Sequence, residues 1–262
     1  MSDSEGQVKC ERRGSIFMIE LDRPRKLNGL TPKMASELAL AYGELDRDDE
    51  LFVGVLHAAG PHFTAGLDLP MWTELMARGE SPMRGEGKLD PFALGRSCRK
   101  PIVTAVQGIT FTAGIEMMLG TDIVVAADDC RFSQMEPMRG IHATGGATFR
   151  FVERGGWGNA MLHLLTSDEF DAEEALRIGL VQQVVPAGEQ LGRALELAER
   201  IAQQAPLAVQ ATKASSLRYE REGVEACIAA LTPVQSELLA SEDAAEGVAS
   251  FREKRPPVFR GR

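Results

Sequence analysis

An α/β core followed by a helical C-terminal region is the fold class this chain predicts. Three observations carry it. Short apolar runs rich in Ile and Val alternate with helix-period stretches up to about Pro186, the pattern of a sheet layered with helices. After that, residues 188–204, 206–222, 224–240 and 242–254 all read as helices. No Pro-rich or Ser-rich linker separates the two parts, so the tail is expected to pack on the core or on a neighbouring copy.

The elements follow in order. Residues 16–21, IFMIEL, predict a strand that Arg23-Pro24 breaks. Thr31-Pro32 predicts a helix start, a hydroxyl cap followed by Pro at the first helical position. That helix should run to about Asp46 with Met34, Leu38, Tyr42 and Leu45 on one face. Phe52–His57 reads as an apolar strand closed by the turn Ala59-Gly60-Pro61. Ile102–Val106 and Ile123–Ala127 read as two further buried strands. Between Trp72 and Lys100 the chain mixes Met, Gly, Pro and charge with weak periodicity, which predicts a surface excursion or lid. In the tail, Leu195, Ala198, Ile201 and Ala202 give the first helix an apolar stripe.

Composition sets the bounds. The 262 residues carry 29 Lys+Arg and 38 Asp+Glu, a formal charge of −9. That balance argues against nucleic acid as a partner, since polyanion binding leaves a basic footprint. It leaves room for a small phosphorylated ligand held by a few local cations. No apolar run approaches the ~20 residues of a membrane span. The polar start MSDSEGQVKCERRG predicts no secretory signal and hence a cytoplasmic protein. Cys10, Cys98, Cys130 and Cys227 are scattered, which fits reduced thiols. His57, His62, His142 and His163 form no zinc motif. There is no GxSxG, no Walker sequence and no GxGxxG after a strand.

Three segments stand out together, though none is specific by itself. In HFTAGLDL (62–69), Gly66 permits a sharp turn that leaves amide N–H groups pointing outward. In QGITFTAGIEMMLGTD (107–122), the small residues Thr112, Ala113 and Gly114 open a helix whose N-terminus offers unpaired donors. Glu116 stands in its first turn, where a carboxylate often does no more than offset the helix dipole. In RFSQMEPMRGI (131–141), Glu136 precedes Pro137, a place where solvated loop acids are common.

Taken together these segments resemble the crotonase (enoyl-CoA hydratase/isomerase) superfamily. The resemblance also covers IELDRPRKLNGL, FDAEEALRIGLVQQVVP and the tail SEDAAEGVASFREKRPPVFRGR, in order along nearly the whole chain. It implies a spiral of ββα units over residues 1–195, and a C-terminal α-helical region, 196–262, that builds a homotrimer or a dimer of trimers. It implies an acyl-CoA or enoyl-CoA thioester as substrate, and no cofactor or metal.

By position, the N–H groups of Leu67 and Ala113 would hold the thioester oxygen. Ala113 stands where the family usually has the middle Gly of a GGG run. Glu116 and Glu136 fall on the two glutamates that bracket a water in the family's hydratases. The reaction implied is enoyl-CoA hydration. Enoyl- or dienoyl-CoA isomerisation, C–C bond cleavage of a CoA ester and plain acyl-CoA binding are the alternatives. Related isomerases carry an Asp eight residues after the position of Glu136, where this chain has Thr144. The run Ala143-Thr144-Gly145-Gly146-Ala147 replaces the usual PGAGG of the pocket floor. His142 beside it either lines the pocket or packs structurally. For coenzyme A, Ala65, Gly66, Leu67, Asp68 and Leu69 resemble the adenine-binding segment, with Arg25 and Lys26 toward the phosphates. Lys254 matches a lysine that in relatives reaches a neighbouring subunit's coenzyme.

Overall fold

The computed structural model describes residues 5–262; the first four residues of the polar N-terminal stretch lie outside them. Strands β1 (Gln7–Arg13) and β2 (Ile16–Asp22) form an antiparallel hairpin. The sequence does not announce β1, because its residues are polar and nearly all exposed. An edge strand wet on its outer side carries little apolar alternation. Helix α1 (Pro32–Arg47) begins as expected: the Thr31 hydroxyl accepts from Met34 N at 3.1 Å, and Pro32 occupies the first helical position. Strand β3 (Val53–Ala58) follows, then helix α2 (Leu69–Arg78).

Next come β4 (Ile102–Val106), β5 (Ile109–Phe111), α3 (Ala113–Leu119), β6 (Ile123–Ala127) and β7 (Arg131–Ser133). Helix α4 (Ala147–Thr166), β8 (Phe170–Asp171), α5 (Ala172–Arg177), β9 (Gln183–Val185) and α6 (Gln190–Ala202) complete the core. The large sheet has the order β1-β2-β3-β4-β6-β9 and is parallel from β2 onward. A small sheet pairs β5-β7-β8. Successive strands therefore alternate between two sheets, β4 then β5 and β6 then β7, before a helix returns the chain. This is the ββα spiral that the resemblance implies.

The period-2 alternation of the strands fills two layers. Phe17, Ile19 and Leu21 face the main core with Met34, Leu38 and Leu45 of α1. Ile16, Met18, Val53, Val55, Val103 and Ala105 face the opposite side, beneath Ala194 and Ala198 of α6. Position 195 falls within α6, which lies across β3, β4 and β6. Helices α7 (Pro206–Glu222), α8 (Val224–Leu239) and α9 (Glu242–Glu253) form the tail, within two residues of the ranges expected. No helix among the described residues is long and apolar enough to cross a membrane.

The surface excursion expected between Trp72 and Lys100 is largely exposed, but it is more ordered than its weak periodicity predicts. Its first part is helix α2, closed by Gly79 at φ 65°. Trp72, Leu89, Phe92, Cys98 and Lys100 within it are buried. Four widely spaced apolar anchors suffice to seat such a segment but give no period to read.

Candidate active site

The site is built where the 62–68 loop lies along β5. Phe63 N donates to Gln107 O (2.8 Å), Thr64 N to Ile109 O (3.1 Å) and Phe111 N to Thr64 O (3.0 Å). On the loop's other side, Leu30 N donates to Gly66 O (2.8 Å) and Asp68 N to Leu30 O (3.0 Å). Gly66 has φ +97°, and a Cβ there would collide with Thr112 Oγ1. Only glycine satisfies both the conformation and the closeness. Thr112, just before α3, is itself held at φ 48° with its N–H on Ser133 O at 2.9 Å. A β-branched residue in the left-handed region is strained by ~1–3 kcal/mol and persists only where its surroundings fix it.

This bracing leaves two donors over. Among the described residues, neither Leu67 N–H nor Ala113 N–H has a hydrogen-bond partner. Both residues line one cavity of about 630 Å³, together with Glu116, Thr144 and Gly145. Trp72, Met76, Met83, Leu89 and Phe92 add an apolar wall to it.

Glu116 is 4% exposed. Its Oε1 accepts from Gly145 N at 2.7 Å and Ala147 N at 3.2 Å. Burial raises its pKa, opposed by those two N–H groups and by the charges of Arg150 and His142. Gly145 is close-packed against it: a Cβ there would lie 2.5 Å from Glu116 Oε2 and 2.9 Å from the Phe92 ring. Glu136 is buried at the cap of a 3-10 turn, Pro137–Arg139, and its Oε2 has no partner. Burial pushes its pKa up to about 7; its own backbone N–H opposes this and the Glu116 charge adds to it. One carboxyl thus has donors that favour the anion. The other has none on its buried oxygen; burial raises both pKa values, so neither is an ordinary solvated acid and the pair is suited to passing protons.

The other expected residues distribute as follows. Thr144 is on the cavity wall, as expected, though exposed. Glu136 does not line that cavity but is close enough to feel the Glu116 charge. Asp68 is bound to the buried Arg23 guanidinium at 2.8 Å, so its carboxylate braces the loop. Ala65 N donates to Leu27 O at 2.9 Å, and Leu69 opens α2. Gly114 lies against Thr64. Arg25 and Lys26 are exposed on the 3-10 turn after β2, and Lys254 is exposed at the C-cap of α9. His142 is exposed and does not line the cavity, so neither the pocket-lining nor the packed alternative holds.

Two participants escape the sequence reading. The Gly145 N–H binds Glu116, and Trp72 Nε1 ties the roof to Leu30 O at 2.7 Å. A backbone donor leaves no side-chain signal, and a lone Trp in an irregular segment reads as packing.

Comparison with known proteins now adds an independent line. The family model for enoyl-CoA hydratase/isomerase matches residues 11–262. The enoyl-CoA hydratase EchA19 of Mycobacterium tuberculosis is 34% identical, over 99% of this chain and 98% of that protein. The carnitinyl-CoA dehydratase of Escherichia coli is 34% identical over the full length of both. A crystal structure of a probable enoyl-CoA hydratase/isomerase from Mycobacterium abscessus superposes with a TM-score of 0.95 at 44% identity, covering 98% of this chain and 99% of that one.

Proposed function

We start from the premise that the chain belongs to the enoyl-CoA hydratase/isomerase family, and we propose that it adds water to a trans-2-enoyl-CoA to give 3-hydroxyacyl-CoA. One observation carries this reading. Two buried carboxyls lie together, Glu116 on the wall of a cavity and Glu136 behind it, and the same cavity is lined by Leu67 and Ala113, whose N–H groups have no partner among the described residues.

The thioester oxygen would accept from Leu67 N–H and Ala113 N–H. Negative charge grows on that oxygen as the nucleophile reaches Cβ, and fixed donors favour that state; losing one costs about 3–4 kcal/mol. Glu116, oriented by the Gly145 and Ala147 N–H groups, takes a proton from water as its oxygen bonds to Cβ. Glu136 gives its proton to Cα as the enolate collapses. The two carboxyls then exchange a proton, so the pair titrates as a unit. The thioester and its donors supply the electronic activation, so the reaction requires no prosthetic group or metal.

Dehydration of a 3-hydroxyacyl-CoA uses the same groups in reverse, and one relative is named as a dehydratase. Thr144 brings no third carboxyl to the cavity, which disfavours dienoyl isomerisation.

Arg25 and Lys26 would meet the coenzyme's phosphates at the surface, with Lys254 supplied by a neighbouring copy. Exposed apolar side chains support such copies: Ile228, Leu231 and Leu239 on α8, Phe251 on α9 and Trp157 on α4. The assembly proposed is a homotrimer or a dimer of trimers.

The test is hydration of crotonyl-CoA and longer enoyl-CoA esters, followed by loss of conjugated-thioester absorbance. Glu116→Gln and Glu136→Gln should each lower kcat by roughly 10²–10⁴. Hydration that survives Glu136→Gln unchanged overturns the mechanism. A product of unchanged mass identifies isomerisation instead.

A further inference from the structure

Arg150, in the first turn of α4, is only 9% exposed, and among the described residues it makes no ion pair. Its guanidinium is spent on main-chain oxygens. Nη1 donates to Gly145 O at 3.2 Å, and Nη2 donates to Phe92 O at 2.7 Å and Ala93 O at 3.3 Å. The Phe149 ring centroid lies 5.3 Å from its Cζ. These carbonyls belong to two separate parts of the cavity. Gly145 is gripped at both ends, its N–H by Glu116 and its C=O by Arg150. Phe92 and Ala93 belong to the roof, where Ala93 sits at φ 52°, a conformation a non-glycine residue keeps only when held.

A buried guanidinium is expensive to desolvate, and a direct carboxylate partner would be the usual compensation. Here the charge instead acts across space on Glu116, Glu153 and Asp90, with Arg154 opposing. Glu116 in turn faces Arg150, His142 and Glu136.

We propose that Arg150 is a positioning residue that ties the roof segment 90–96 to the turn holding Glu116, so that the placement of the roof and the orientation of Glu116 are one arrangement. The inference rests on the hydratase reading for its catalytic consequence only. Its fork geometry serves the roof and its charge serves the carboxylate, and two substitutions separate them. Arg150→Met removes both. Arg150→Lys keeps the charge and loses the three-carbonyl fork.

Two readouts need no turnover. One is the Glu116 titration, followed as a carboxyl-stretch infrared difference against Glu116→Gln. The other is amide hydrogen exchange across 90–96. In Arg150→Met the Glu116 midpoint should rise by about one pH unit, and exchange at 90–96 should quicken about tenfold. In Arg150→Lys the midpoint should stay near wild type while exchange quickens. On enoyl-CoA, the pH at which kcat/KM reaches half its maximum on the acid side should move up in Arg150→Met alone.

A folded Arg150→Met with the wild-type Glu116 midpoint overturns the proposal. So does Arg150→Lys with wild-type exchange, which remains decisive if the Met variant does not fold. Absence of hydration in the wild-type protein would refute the function proposed above and leave both readouts standing.

Discussion

The floor and the roof of the cavity that holds Glu116 are built by different means. The floor, residues 62–68 with 110–116, is laced by main-chain hydrogen bonds to two strands and is mostly buried. It holds Gly66 at φ +97° and Thr112 at φ 48°, conformations tolerated because their surroundings leave no alternative. The roof, residues 69–97, is largely exposed. It hangs on Trp72, Leu89 and Phe92 and on the Arg150 fork. Groups that must meet a developing charge belong on elements that cannot move, whereas a wall that shapes the acyl group can vary without disturbing them. Under the proposed hydration, the roof bounds the space left for the acyl group and the floor presents the reacting groups.

The sharpest way to break this contrast compares a glycine from each side. Gly66→Ala places a methyl against Thr112 and forces an L residue to φ +97°. It should cost more than about 2 kcal/mol and abolish turnover, because the Leu67 N–H moves with the loop. Gly95→Ala in the roof meets nothing within 4 Å and needs no positive φ. It should change stability by less than about 0.5 kcal/mol. Urea unfolding and crotonyl-CoA hydration measure both. Equal losses would show that the roof is as tightly built as the floor.

The second prediction concerns pH. Glu136 has a folded pKa of about 7 against an ordinary value of 4.5. The native state therefore binds more protons than the unfolded chain between those values, so stability should fall as pH rises from about 4.5 to 7. Glu136→Gln removes that slope and should leave the protein more stable above pH 7, by up to about 3 kcal/mol. If the protonated form is the one that delivers a proton to Cα, kcat/KM for hydration should decline above about pH 7. A wild-type profile flat through pH 8 would show that Glu136 works as an anion.

How much of this could be read in advance follows the same division. The parallel strands β3, β4 and β6 and helix α1 are visible as apolar runs and a capped, periodic stretch. Their burial on one or both faces forces that composition. Glu116 and Glu136 were legible only through resemblance, since a first-turn Glu and a Glu before Pro have commonplace explanations. Strands β5, β7 and β8 are two or three residues long, too short to show a period. The grip of Gly145 and Arg150 on Glu116 runs through main-chain atoms, and such contacts write no side-chain pattern. The ion pair of Asp68 with Arg23, 45 residues away in sequence, is likewise invisible in the local pattern of either segment.

The smallest expected effect bears most directly on what the floor's rigidity is for. Thr112 keeps φ 48° although glycine would adopt it freely. Thr112→Gly removes ~1–3 kcal/mol of backbone strain and gives back ~0.5–1 kcal/mol through the more flexible unfolded chain. The balance is a gain of about 1 kcal/mol. The threonine side chain, however, fills the space over Gly66 and immediately precedes the Ala113 N–H. Without it, the two donors lose a shared brace. The variant should melt higher yet hydrate more slowly, with kcat reduced several-fold and KM little changed, because a donor that wanders serves the developing charge worse than the ground-state oxygen. A variant both more stable and fully active would show that the hydrogen bonds to Ser133, Leu30 and Gln107 hold the floor alone. A less stable one would show that the packing of the Thr112 side chain outweighs its strain.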